Sequence, residues 1–86
     1  MIVKKIIVTG SCGFIGFNLI NNLDNNIEVI GLDSLNDAYD SRFKELRLKK
    51  LEKQQNFKFH QIDLSNIDTL NKNSNIFENC DAVVHL

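Results

Sequence analysis

Eight residues near the amino terminus constrain this fold more than any other stretch. Thr9-Gly10-Ser11-Cys12-Gly13-Phe14-Ile15-Gly16 follows directly on the apolar run Ile6-Ile7-Val8 and opens into an amphipathic segment. Three glycines at three-residue spacing between a strand and a helix describe a phosphate-binding turn. The first permits the tight turn, the second lets backbone approach a pyrophosphate, and the third lets helix pack closely on strand. The helix that follows would present unpaired N–H groups and the positive end of its dipole to the anion.

The rest of the chain alternates strand and helix patterns. Residues 3–9 are β-branched and continuously apolar at their centre, as in a parallel strand buried on both faces. Residues 14–23 carry Ile15, Leu19, Ile20 and Leu23 at helical spacing, and Asp24-Asn25-Asn26 ends that helix with turn-favouring residues. Residues 27–32 read as a second strand. Residues 36–55 lack glycine and proline and predict a long helix with Tyr39, Phe43, Leu46 and either Lys50 or Leu51 along one face. Residues 57–62 alternate apolar with polar, which suits a strand at a sheet edge. Ser65-Asn66-Ile67-Asp68 resembles a capping box, with Asp68 in place of the preferred Glu. The helix it begins uses Ile67 and Leu70 and breaks within residues 71–75, and residues 81–86 form a fourth strand. This order predicts an α/β, doubly wound domain, a partial Rossmann fold with four parallel strands in the order 3-2-1-4 and flanking helices.

Eighty-six residues hold a single small domain. A net charge of −1 gives no electrostatic reason to expect nucleic acid or an acidic membrane as partner. The amino terminus lacks the order of a signal peptide and no apolar run approaches membrane-spanning length, so the cytosol is the expected compartment. Cys12 and Cys80 lie far apart without the C-x-x-C spacing of redox or zinc sites; both are expected to be reduced thiols, and no metal site is expected.

Asp33 ends the second strand, 17 residues beyond Gly16. A carboxylate there can accept hydrogen bonds from both hydroxyls of an adenosine ribose and would repel a 2′-phosphate. This favours NAD over NADP, since no arginine follows Asp33 directly and Arg42 falls well inside the predicted helix. The alternative for Asp33 is a helix-capping acid. Asp63-Leu64 follows the third strand on the same rim, where Asp63 could meet an adenine amino group or simply cap the next helix. Ser34 and Asn36 divide likewise between turn chemistry and ribose contact. Cys12, near a helix N-terminus, could have a lowered pKa, yet a small side chain is what the turn needs.

These residues resemble the extended short-chain dehydrogenase/reductase superfamily, and within it the nucleotide-sugar epimerases and dehydratases. Residues 9–16 match the T-G-x-x-G-F-I-G motif of that superfamily in full. The run Gly31-Leu32-Asp33-Ser34-Leu35-Asn36-Asp37-Ala38-Tyr39-Asp40 is similar to the G-L-D-N-L-N-D-Y-Y-D run of the UDP-glucuronate 4-epimerase branch, from which Ser34 and Ala38 depart. Val83-Val84-His85-Leu86 looks like the strand that in the family continues into an alanine-rich turn touching the cofactor. The resemblance implies an NAD site formed by Gly10, Gly13, Phe14, Ile15 and Gly16 of the turn, by Asp33, Ser34, Leu35 and Asn36 after the second strand, by Asp63 and Leu64 after the third, and by Leu86.

It also implies a reaction in which hydride leaves C4 of a UDP-sugar for tightly held NAD, the 4-keto sugar turns over, and hydride returns to the opposite face. In the family a Tyr-x-x-x-Lys pair with a nearby Ser or Thr moves the proton. Tyr39 is the one tyrosine here and Phe43 stands where the lysine would be, so no catalytic residue is carried over. The expectation is the N-terminal, cofactor-binding portion of an epimerase, silent alone, with the UDP-sugar met only in a full-length parent. Two alternatives are a stand-alone ADP- or NAD-binding regulatory module and a non-binding structural remnant. The apolar edge at Ala82-Val83-Val84 predicts self-association.

Overall fold

The computed structural model describes residues 4–35, 41–63, 68 and 74–86. Strands β1 (Lys5–Thr9), β2 (Glu28–Asp33), β3 (Phe57–Gln61) and β4 (Ala82–Val84) form one parallel sheet in the order β3-β2-β1-β4. Helix α1 (Phe14–Asn21) links β1 to β2, α2 (Ser41–Leu51) lies between β2 and β3, and a single 3-10 turn (Ser74–Phe77) precedes β4. The predicted strand order and the edge position of β3 are both found.

Side-chain alternation sorts the core onto two faces of the sheet. Ile6 and Val8 of β1, Val29 of β2 and Phe57 of β3 pack with Ile20 of α1 and Leu51 of α2. Ile7, Ile30 and Leu32 point the other way and meet Ile62 and Ile76, with Cys80 beside them. Both helices therefore cover one face, as two successive crossovers in the same direction along the sheet require.

The helices are shorter than their sequence patterns. α1 stops at Asn21, where the side-chain amides of Asn18 and Asn22 bond back to the carbonyls of Phe14 and Asn18. α2 ends at the wholly buried Leu51, because residues 52–55 are all polar and leave nothing to bury; the chain turns out through i→i−3 bonds from Lys53 and Gln54. Its inward face also differs from the expected one. Phe43 and Leu46 are exposed, while Leu51, Leu48, Arg47 and Lys44 turn toward the molecule. Tyr39 and the third helix predicted from Ser65, apart from Asp68, lie outside the described residues.

β4 is three residues long rather than six, and is held at both ends by side chains of its surroundings. At its amino end the backbone N–H groups of Lys4 and Lys5 donate to Asp81 Oδ2 at 2.8 and 2.9 Å. These two donors hold the Asp81 carboxyl below the usual carboxylate range. At its carboxyl end the buried Thr9 hydroxyl accepts from Leu86 N–H at 2.9 Å and lies 3.0 Å from His85 Nδ1.

Candidate functional site at the carboxyl rim of the sheet

The turn after β1 brings the three glycines together for distinct steric reasons. Gly10 has φ +63°, a conformation open to glycine at little cost. A Cβ on Gly16 would collide with the carbonyl oxygen of Gly10, so α1 can pack this tightly on the turn only without a side chain there. Gly13 is the N-cap of α1 and no side chain caps the helix, so its first N–H groups are presented to whatever acceptor lies beyond the turn. A cavity of about 320 Å³ opens at this point, lined by Gly10, Gly13, Phe14, Ile15, Gly16 and Leu86. Phe14 and Ile15 are exposed, at 71% and 66%. Large apolar side chains are thus held open to solvent beside an uncapped helix end.

A fourth glycine, on β2, makes the turn possible. A Cβ on Gly31 would stand 2.7 Å from both the Phe57 ring and Ser11 Oγ, so the wholly buried Ser11 rests across β2 only because Gly31 has no side chain. Ser11 N–H donates to Leu32 O at 3.2 Å and fixes that crossing. Gly31 entered the sequence reading only as part of the resemblance; its signal was a glycine inside an otherwise apolar strand, which marks a close backbone approach.

The second part of the site is Asp33 at the end of β2. Its carboxylate is buried and accepts, among the described residues, from Cys12 N–H at 3.1 Å, Leu35 N–H at 2.9 Å and Lys44 Nζ at 3.2 Å. The ion pair with Lys44 is shielded on both sides, the side chains being 3% and 15% exposed. A carboxylate offers about four lone-pair sites, more than the three donors found among the described residues. Leu35, with φ 57°, is held in the left-handed region by its N–H bond to Asp33, a strained conformation for leucine at the edge of the site.

Asp33, Ser34, Lys44 and Asp63 share a second cavity, of about 200 Å³, with Gly10, Leu32 and Ile62. Asp63 is exposed on its rim and the Ser34 carbonyl accepts from Gln61 Nε2. Gly10 lines both cavities, so turn and acidic rim adjoin. Asn36 and Leu64 lie outside the described residues. A larger hollow of about 500 Å³ at the opposite end of the strands is lined by Asn25, Gln54, Gln55 and Asn56, which are amides without an ionisable group.

Two cations on α2 complete the arrangement, and sequence reasoning missed both. Lys44 neutralises Asp33, and Arg47 donates to the Cys12 carbonyl at 3.1 Å with its guanidinium 6.0 Å from the Phe14 and Phe43 ring centroids. Their signal was the spacing Lys44, Arg47, Leu48, Leu51, one helical face on which the two residues nearest the turn are charged. Cys12 follows the preferred reading of a small side chain in the turn: burial outweighs the nearby helix end and pushes its thiol up to about 11, so it is not an activated nucleophile. Both cysteines are free.

The chain matches known proteins along nearly its whole length. It is 46% identical over 83 residues to the UDP-glucuronate 4-epimerase of Thermodesulfobacterium geofontis, covering 93% of this chain and 25% of that one. It is 46% identical over 69 residues to Protein CapI of Staphylococcus aureus, covering 79% of this chain and 20% of that one. Among solved structures, the UDP-glucuronic acid 4-epimerase of Bacillus cereus in complex with UDP-glucuronic acid and NAD superposes with a TM-score of 0.81 at 32% identity, over 95% of this chain and 26% of that one. The UDP-Glc/GlcNAc 4-epimerase of Campylobacter jejuni gives 0.71 at 30% identity, over 96% and 24%. The chain therefore spans about a quarter of the length of the relatives it matches. Residues 6–86 match the NAD dependent epimerase/dehydratase family, and on that match and the shared Rossmann-like sheet the chain belongs to this family.

Proposed function

We propose that this chain holds the adenosine diphosphate half of NAD for a nucleotide-sugar 4-epimerase acting on UDP-glucuronate or a close relative. The observation that carries the reading is the meeting, at Gly10, of an uncapped helix end and a buried carboxylate in adjoining cavities. The uncapped N–H groups of α1 suit a pyrophosphate, and Asp33 has acceptor capacity for a ribose hydroxyl. The exposed Asp63 suits the adenine amino group, and the apolar surface of Phe14, Ile15 and Leu86 flanks the path beyond the pyrophosphate. When bound, NAD supplies reversible hydride acceptance. This chain's residues would bind and orient it without moving a proton, because the 86 residues contain no Tyr-x-x-x-Lys pair.

Calorimetric titration with NAD, ADP-ribose and ADP tests the reading. Binding of all three with similar affinity is expected, together with no turnover of UDP-glucuronate by the chain alone. Failure of all three to bind at millimolar concentration would overturn it. A second reading, self-association, is favoured by one observation: among the described residues β4 pairs with β1 on one side only, and Val83 is 52% exposed. Such a strand edge templates pairing with another chain. Sedimentation velocity should show a concentration-dependent dimer, and a monomer at all concentrations would remove this reading. No helix among the described residues is long and apolar enough to cross a membrane.

A further inference from the structure

Discrimination against a 2′-phosphate is ordinarily assigned to the negative charge of the acid that ends the second strand. In this chain that charge is not presented alone. Lys44 Nζ sits 3.2 Å from Asp33 Oδ1, both side chains are largely shielded from water, and both line the same 200 Å³ cavity. Among the described residues lining that cavity the other acid, Asp63, is exposed, so solvent screens its charge more strongly than that of the buried pair.

We propose that Lys44 sets the selectivity of this site between a ribose with a free 2′-hydroxyl and one bearing a 2′-phosphate, by cancelling the charge of Asp33. The inference rests on the cofactor reading above and adds to it a residue and a direction. A 2′-hydroxyl donates one hydrogen bond and carries no charge, so its recognition depends on the geometry of Asp33, which two backbone N–H groups fix without help from Lys44. A 2′-phosphate is a dianion in water. At the Asp33–Lys44 pair it meets one repulsive and one attractive charge at similar range, and the opposed terms largely cancel. Removing the lysine charge leaves the repulsion of the shielded Asp33 carboxylate uncompensated. The intact site therefore rejects NADP only weakly on charge grounds, and α2, rather than the end of β2, carries the adjustable element of cofactor choice.

The test compares dissociation constants for NAD and NADP in the unmodified 86-residue chain, in Lys44→Gln and in Lys44→Arg. Glutamine can still donate to Asp33 Oδ1 but carries no charge; arginine keeps the charge. The ratio of the two constants within one protein is insensitive to the fraction folded, so partial unfolding of a variant does not obscure it. Lys44→Gln should raise the preference for NAD over NADP about tenfold, mostly through weaker NADP binding, while Lys44→Arg stays within about twofold of the original ratio. An unchanged ratio in Lys44→Gln, with NAD still bound, overturns the role of Lys44 and leaves the cofactor reading standing. Failure of the unmodified chain to bind either nucleotide overturns the cofactor reading, and this inference with it.

Discussion

The glycine turn and the rim at Asp33 lie side by side at the carboxyl end of β1 and β2, yet they are built by opposite means. The turn is made by leaving side chains out: Gly10, Gly16 and Gly31 each stand where a Cβ would strain the backbone or strike a neighbour. The rim is made by opposing side chains, a buried carboxylate against a lysine and two backbone donors. A steric site admits few substitutions and fails abruptly. An electrostatic one can be retuned by a single charge without loss of the fold.

Substitution in the turn gives the sharpest way to break this contrast. Gly16→Ala drives a Cβ into the Gly10 carbonyl, a backbone atom that cannot swing aside, and should cost about 3 kcal/mol of stability in urea denaturation. In so small a domain that is much of the total. An alanine variant with an unchanged midpoint would show that the turn has slack. Gly10→Ala should cost less, about 1–2 kcal/mol, because a Cβ there meets Leu86 only at ordinary contact distance and the penalty is that of the left-handed backbone alone.

An effect confined to alkaline pH belongs to Cys12, which lies between the two regions. Its folded-state pKa is raised from 9.0 to about 11 by burial, so the neutral thiol is the form the fold favours. The stability linked to it is fully present below pH 9 and is lost as pH rises from about 9 toward 11. Chemical denaturation across that window should show a falling slope that Cys12→Ala reduces. An identical slope in the variant would assign the loss to other groups.

The order of the strands was legible because apolar β-branched runs and helical spacing alternate along the chain, and because glycines mark the turn by a steric need that no other residue meets. Asp33 was legible for its position at a strand end. The inward face of α2 was not: Phe43 and Leu46 carry the strongest apolar signal, yet they are exposed, and Lys44 and Arg47 take the inner positions because their partners, Asp33 and the Cys12 carbonyl, arrive from distant parts of the sequence. Hydrophobic periodicity cannot see a helix face chosen by ion pairing. Ile76 escaped for a related reason, since an isolated Ile76-Phe77 pair in an asparagine-rich stretch has no period, and its burial depends on the second face of the sheet being there to receive it.

The side chains at the two ends of β4 act as end stops. Three residues of ladder specify register weakly, and a slip by one would turn Val83 toward α1 and α2 and Ala82 and Val84 away from them. Asp81 at one end and Thr9 at the other can both be satisfied only in the observed register. The two stops differ in how they release. The Thr9 hydroxyl does not titrate, whereas the Asp81 carboxylate, held below its ordinary range, keeps its grip at neutral pH and gives it up as pH falls through that lowered value. Acid therefore weakens the stop at the amino end of β4, while the backbone bond from Asp81 N–H to Lys5 O does not titrate.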